Sequence, residues 1–325
     1  VSPPLIGPVT RLVATAERVV EVTGADRLTF LDAVTTQELA SADAGTTRAA
    51  LVLDANGLPV AMFEVVVLEQ RVLLVAPDEE VEATVMDRLA GRTFLSDARF
   101  SVRADRVLQV VGPDARDAIA VLLADPPVGD VAEWEGTVIA ADASGAVRII
   151  GDGDAIDSAA ARLRAAGIGA GDTDDLEAWR IRIGRPAWGR EVRAPHLPEE
   201  LGLLPTHVHL AKGCYPGQEA VARMWMLGRP RRRLALLELD GAIDVEWSAG
   251  SGRDEVRVTS VAPDGELALG FVPSDTQLGQ RIEAGDGTRV TVLALPGDDA
   301  SPPGHDPAMR RRRDRRPGEQ SPPRR

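Results

Sequence analysis

The stretch Lys212-Gly213-Cys214-Tyr215-Pro216-Gly217-Gln218-Glu219, continued by Ala220-Val221-Ala222-Arg223, holds the only lysine, the only cysteine and the only tyrosine of a 325-residue chain. All three fall between positions 212 and 215, and chance is a poor account of that clustering. Arginine replaces lysine everywhere else, so this one turn demands an ammonium, a thiol and a phenol. The glycines permit close backbone approach. Pro216 suits a turn or the first position of a helix running on through Val221 and Ala222. A thiol just before a helix N-terminus and near an ammonium has its thiolate stabilised, and the first helical N–H groups can receive a carboxylate. Gln218 and Glu219 suit a heterocycle carrying amide and amino groups. The simpler alternative is a structural cysteine in a glycine turn, with Glu219 serving only the helix dipole.

Outward from this turn the grammar changes on either side. Downstream, Leu234–Leu239, Val256–Val261, Leu267–Val272 and Arg289–Leu295 are short β-like runs separated by Asp240-Gly241, Asp264-Gly265 and Asp286-Gly287. Regular short strands with turn dipeptides predict a small all-β barrel or sandwich over residues 229–296. Upstream, Leu51–Leu53 and Val60–Leu68 flank Asn56-Gly57, the dipeptide that favours a type I′ hairpin. Val72–Val75 adds a strand, and Asp78 caps a helix with Val81, Val85 and Leu89 on one face. The same order recurs with Val107–Val111, a Gly112-Pro113 turn and a helix from Asp114. Strands around Val138 and at Val147–Ile150 precede a helix ended by Gly167. Asp174 with Glu177 reads as a capping box for the helix carrying Trp179 and Arg180, which Gly184 ends. The class is α+β, with residues 1–228 as two subdomains and residues 297–325 as a disordered Pro/Arg-rich tail.

Composition narrows the function. No apolar run is long enough for a membrane span or a signal peptide, and one cysteine cannot form an internal disulfide, so the expected location is the cytoplasm. Residues 310–325 carry eight arginines against Asp314 and Glu319, which is +6. Subtracting this from the net −13 leaves −19 for residues 1–309, which makes nucleic-acid binding unfavourable except through the tail. Gly151-Asp152-Gly153 follows a strand and precedes a helix, but it lacks the third glycine of a dinucleotide turn and would set two aspartates against a pyrophosphate. His207-Val208-His209 near Cys214 is a poor metal site, because an extended segment places the imidazoles on opposite faces. No metal is expected, and a single thiol cannot hold an iron–sulfur cluster alone.

The segment KGCYPGQE followed by VAR resembles the signature of the folate-binding YgfZ family, relatives of the glycine-cleavage T-protein. Weaker similarities extend over Gly24–Leu39, the LDANG turn at 53–57, Val111-Gly112-Pro113, Arg180–Glu191 (RIRIGRPAWGRE), Leu197–Leu203 and Val258-Thr259-Ser260, together covering about Val9 to Leu295. The resemblance implies a T-protein-like arrangement of three subdomains around a central opening, with a C-terminal β-barrel. It implies a tetrahydrofolate or related folate as cofactor, Cys214 as the reactive group, and Arg180, Lys212, Tyr215, Gln218 and Glu219 as cofactor-binding residues, with Glu191 and Arg223 as weaker carry-overs. The implied role is accessory, supporting iron–sulfur cluster assembly or repair in client enzymes, tRNA-modifying ones included. The alternative is a tetrahydrofolate-dependent aminomethyl or methyl transferase. Against it, Ala61-Met62-Phe63 stands where such transferases carry an aspartate pair, and Glu64 is the nearest acid on that strand, its orientation open.

Overall fold

A computed structural model describes residues 9–123, 129–227, 230–245, 247–298 and 301–304. The chain opens with β1 (Arg11–Ala14), β2 (Arg18–Thr23), α1 (Arg27–Val34), β3 (Thr47–Leu53), β4 (Pro59–Val67), β5 (Arg71–Ala76), α2 (Glu79–Arg88) and β6 (Arg99–Arg103). Five of these strands form an antiparallel sheet in the order β3-β4-β5-β2-β6. The β3–β4 hairpin forms where the alternation placed it, but its turn is not type I′, because only Gly57 takes a positive φ. Asp54 is the reason. Its Oδ1 accepts the N–H groups of Asn56 (2.8 Å) and Leu58 (2.9 Å), and Gly57 N–H closes on Asp54 O at 3.1 Å. As the sequence suggested, Asp78 caps α2 by accepting Val81 N–H at 2.9 Å.

Alternation along β4 decides what each face meets. Ala61, Phe63, Val65 and Val67 enter one core with Phe30, Leu31, Val81 and Val85 of α1 and α2. On the other face, Met62 joins the core under the third sheet, and Val66 joins a core with the second sheet. Glu64 lies between them, buried and paired with Arg185.

The second sheet is built from β7 (Arg106–Val111), β8 (Val131–Trp134), β9 (Thr137–Ala141), β10 (Val147–Gly151) and β11 (Gly169–Ala170), with α3 (Ala115–Ala118) and α4 (Gly153–Ala165) between strands. Its order is β11-β1-β7-β10-β9-β8, so the first strand of the chain belongs here. Asp152 caps α4 by accepting Ala155 N–H, which explains Gly151-Asp152-Gly153 as a helix start. Val19, Val66, Leu73 and Val75 of the first sheet face Val107, Val138 and Ile150 of the second.

A connecting region holds α5 (Thr173–Arg182), α6 (Leu204–His207) and α7 (Gln218–Leu227). The capping box of α5 uses Asp172 and Asp175 rather than Asp174 and Glu177. The remaining strands are β12 (Arg232–Asp240), β13 (Ser248–Ala249), β14 (Val256–Val261), β15 (Leu267–Pro273), β16 (Arg281–Glu283) and β17 (Arg289–Ala294). They form an antiparallel sheet ordered β13-β14-β15-β12-β17-β16. Its barrel-like interior holds Ala235, Leu237, Val258, Ala268, Val272, Val290 and Val292. Leu234, Leu236, Leu269 and Phe271 face the other way, onto Leu51, Leu53, Met62 and Trp225. Mixed helices and sheets with one barrel-like sheet agree with the expected class.

Residues 1–8, residues 124–128, the expected boundary at 228–229 and the arginine tail from 305 onward lie outside the described residues. The expected tail nonetheless begins as ordered chain. Leu210 N–H donates to Pro303 O at 2.8 Å, and Asp298 pairs with Arg233 at 2.5 Å. Among the described residues, no helix is long and apolar enough to cross a membrane.

Candidate functional site

The sequence signature is held by the residues just after α1. Lys212 Nζ donates to the backbone oxygens of Asp32 and Thr35, the latter at 3.0 Å, and lies 3.5 Å from Asp32 Oδ2. It thereby caps the C-terminal end of α1, where carbonyl oxygens need donors and a positive charge is favoured. Burial pushes its pKa down, with Asp32 opposing. The ammonium also sits 4.9 Å from the centre of the Tyr215 ring, a cation–π contact. Tyr215 is half-buried, and burial pushes its phenol up to about 12. Thr36 Oγ1 donates to His207 O at 2.6 Å, and Gln37 Nε2 donates to Thr206 O at 3.1 Å. The segments 32–37 and 206–212 are therefore a single braced unit.

Gly217 and Gly57 explain why two distant glycine turns accompany each other. Both have positive φ, and a Cβ on Gly217 would stand 2.5 Å from Asp54 O and 3.1 Å from Gly57 Cα. The hairpin tip is thus pressed against the start of α7. Gly213 makes no such approach. Gln218 Oε1 accepts Tyr215 N–H at 3.3 Å, bracing the loop. Tyr215, Gln218 and Glu219 line a cavity of about 480 Å³ with Asp54, Arg88 and Arg92. Cys214 and Arg223 are exposed, and neither lines this cavity.

Arg180 and Glu191 meet elsewhere. Both are buried, and Arg180 Nη1 lies 3.3 Å from Glu191 Oε2. Arg180 also donates to Glu177 at 2.7 and 2.8 Å and to Ser260 Oγ at 2.8 Å. Glu191 accepts from Ser260 Oγ (2.6 Å), Thr259 Oγ1 (2.7 Å) and Ala187 N–H (3.0 Å). Every strong donor and acceptor is engaged, so this pair ties α5 and its following loop to β14 and has little capacity left for a ligand.

A larger cavity, about 810 Å³, lies between the first two sheets, the connecting region and the chain that follows β17. Thr47 and Ala49 on β3 and Glu64 on β4 form one wall; Asp142 and Ser144 after β9 form another; Arg185, His207 and His209 come from the connecting region. None of the signature residues lines it, nor do Arg180 and Glu191. Glu64, Asp142 and Arg185 on its wall belong to a chain of alternating charges that sequence reasoning did not assemble. Glu17 pairs with Arg148 at 2.9 Å, Arg148 with Asp142 at 2.9 Å, Asp142 with Arg185 at 2.7 Å, and Arg185 with Glu64 at 2.7 Å. Three carboxylates share two guanidiniums. Burial raises the pKa of Glu64, and Arg185 only partly offsets it. Asp142 is held well below the ordinary carboxylate range, because Arg185 and Arg148 outweigh its burial. Glu64 is the end of the chain that faces the cavity.

His207 is buried beside this network. Burial, reinforced by Arg185, lowers its pKa to about 3, so the ring is neutral, with Nδ1 2.7 Å from Thr206 Oγ1. Among the described residues, no three His, Cys, Asp or Glu side chains gather as metal ligands.

No protein-family model matches the chain, and no curated protein matches it in sequence. Among solved structures, the glycine cleavage system aminomethyltransferase T from Bartonella henselae is similar with a TM-score of 0.75 over 90% of this chain and 88% of that one, at 19% identity. Heterotetrameric sarcosine oxidase from Corynebacterium sp. U-96 aligns with 48% of this chain and 83% of its own, at 17% identity and a TM-score of 0.35. The chain thus has the fold of the glycine-cleavage aminomethyltransferase.

Proposed function

We propose that this protein is a folate-binding accessory protein of the YgfZ type, holding tetrahydrofolate or a related folate in the central cavity. Cys214 is presented on the surface to iron–sulfur client or assembly proteins, tRNA-modifying enzymes among them. The observation that carries the reading is the cavity of about 810 Å³ with Glu64 on its wall, set within the aminomethyltransferase fold. Its volume is in the range of small-molecule sites, roughly 300–1,000 Å³.

The donor set fits the cofactor. A carboxylate such as Glu64 accepts from the amide and amino edge of a pteridine, and Arg48 on the cavity wall suits an anionic glutamyl end. A bound folate would supply a one-carbon carrier and an electron-rich ring. The protein's own part is to fix Glu64 through Arg185, to keep His207 neutral and to hold the signature loop rigid through Lys212. Arg180 and Glu191 support the site as scaffold. Tyr215, Gln218 and Glu219 line the separate, smaller cavity, and Arg223 is a surface position.

A second reading, a tetrahydrofolate-dependent one-carbon transferase, draws support from Glu64 as a proton-handling group two residues beyond Met62 on the same strand face. Calorimetric titration with tetrahydrofolate separates these outcomes. The wild type should bind one equivalent, and Glu64→Gln should bind at least about tenfold more weakly through loss of a charged acceptor; no binding by the wild type would remove the folate assignment. Loss of client-enzyme activity under oxidative stress in Cys214→Ser supports the accessory role. Folate-dependent turnover of a lipoyl-bound aminomethyl donor that survives Cys214→Ser selects the transferase.

A further inference from the structure

A chain body of net charge −19 nevertheless gathers five arginines around one groove of about 450 Å³. Arg190 and Arg193 come from the loop after α5, Arg231 and Arg232 from the entry to β12, and Arg257 from β14. Glu200 is the only carboxylate among the residues lining the groove. Strand register explains part of the convergence. Arg257 and Leu234 both stand opposite Phe271, and Arg232 stands opposite Pro273, so Arg232 and Arg257 lie on the same sheet face either side of Phe271. His196 stacks on Phe271 at 3.9 Å between ring centroids and closes the floor.

Three of these guanidiniums are engaged, Arg257 among them. Arg190 donates to Glu177 at 2.9 Å, and Arg232 to Glu255 at 2.6 Å. Arg193 and Arg231 are exposed and, among the described residues, have neither ion pair nor side-chain hydrogen bond. Arg193 and Arg231 have no carboxylate of their own among the described residues, and a bound anion would supply the missing counter-charge. Two uncommitted guanidiniums from separate chain segments match a dianion. A planar carboxylate accepts a guanidinium fork from one side, whereas a tetrahedral phosphoryl group offers oxygens to both walls.

We propose that this groove is a phosphate-binding site for a ligand of nucleotide size, separate from the central cavity. Calorimetry on the full chain at low ionic strength tests it, with pyrophosphate, ADP and a single-stranded oligouridylate as probes. Pyrophosphate and ADP should bind saturably to the wild type. Arg193→Gln combined with Arg231→Gln should weaken both by at least about tenfold while leaving the thermal midpoint in place, since neither side chain has a structural partner. The double lysine variant keeps the charge but loses the fork, and should fall between the two. The arginine tail is common to all three proteins, so it cancels in the comparison. Binding of oligouridylate and pyrophosphate without ADP would identify nucleic-acid phosphate as the source of the same chemistry. Equal binding by wild type and the double glutamine variant, or no binding of any probe, overturns the site.

Discussion

Acid should unfold this protein through His207, and His207→Asn should blunt that response. Burial holds the ring's pKa at about 3 against an ordinary 6.5. Between those values the unfolded chain binds a proton that the folded chain refuses, so stability falls as pH falls, by about 1.4 kcal/mol per pH unit. From pH 7 to pH 5 the imidazole alone removes about 2 kcal/mol, most of it below pH 6.5. Asparagine keeps a polar group for Thr206 Oγ1 but cannot titrate. It leaves a smaller side chain in a buried place, which lowers stability at both pH values and cancels in the difference. Urea unfolding of wild type and variant at pH 7 and pH 5 measures the effect. The wild type should lose about 2 kcal/mol more than the variant across that interval. Equal losses would mean that His207 is charged or solvated in the native protein, and the description of its surroundings would be wrong.

Two further substitutions probe the site's construction. Arg185→Met should destabilise by about 3–5 kcal/mol in chemical denaturation, because it leaves Glu64 and Asp142 buried without their shared cation, and adding Glu64→Gln should recover part of the loss. Gly217→Ala should cost more than about 1 kcal/mol, because its φ is +81° and a Cβ would meet Asp54 O at 2.5 Å, whereas Gly213→Ala, with open space around it, should change the melting temperature little.

Much of the architecture is legible in the residues because alternation and capping are local. Thr47, Ala49, Leu51 and Leu53 share one face of β3, and the caps at Asp78 and Asp152 need only a short window. Other features depend on distant chain. The start of α5 falls at Asp172, not Asp174, because Gly171 N–H is fixed by Leu12 O at 2.9 Å, through a strand pairing that begins 160 residues earlier. The Asn56-Gly57 turn differs from expectation because Asp54 takes the backbone donors first. Of the signature's three scarce side chains, two turn inward: Lys212 to the end of α1 and Tyr215 under its charge. The family resemblance implies Arg180 and Glu191 as cofactor-binding residues, but no sequence pattern shows that both are buried and paired with each other. The cavity's own network joins positions 17, 64, 142, 148 and 185, which no local pattern could collect.

The first strand has a consequence for how the molecule is made. β1 pairs with β7 and β11, from Arg11 opposite Val111 to Leu12 beside Ala170, while the next strand already belongs to the other sheet. A fragment ending near residue 105 would keep β1 with nothing to join, leaving Leu12 and Val13 in water, and one beginning there would lack the strand between β7 and β11. During synthesis the opening residues must therefore wait until β7 has been made, past position 111, and gain their second neighbour only at position 170, so the two halves cannot be dissected at the point where one sheet gives way to the other.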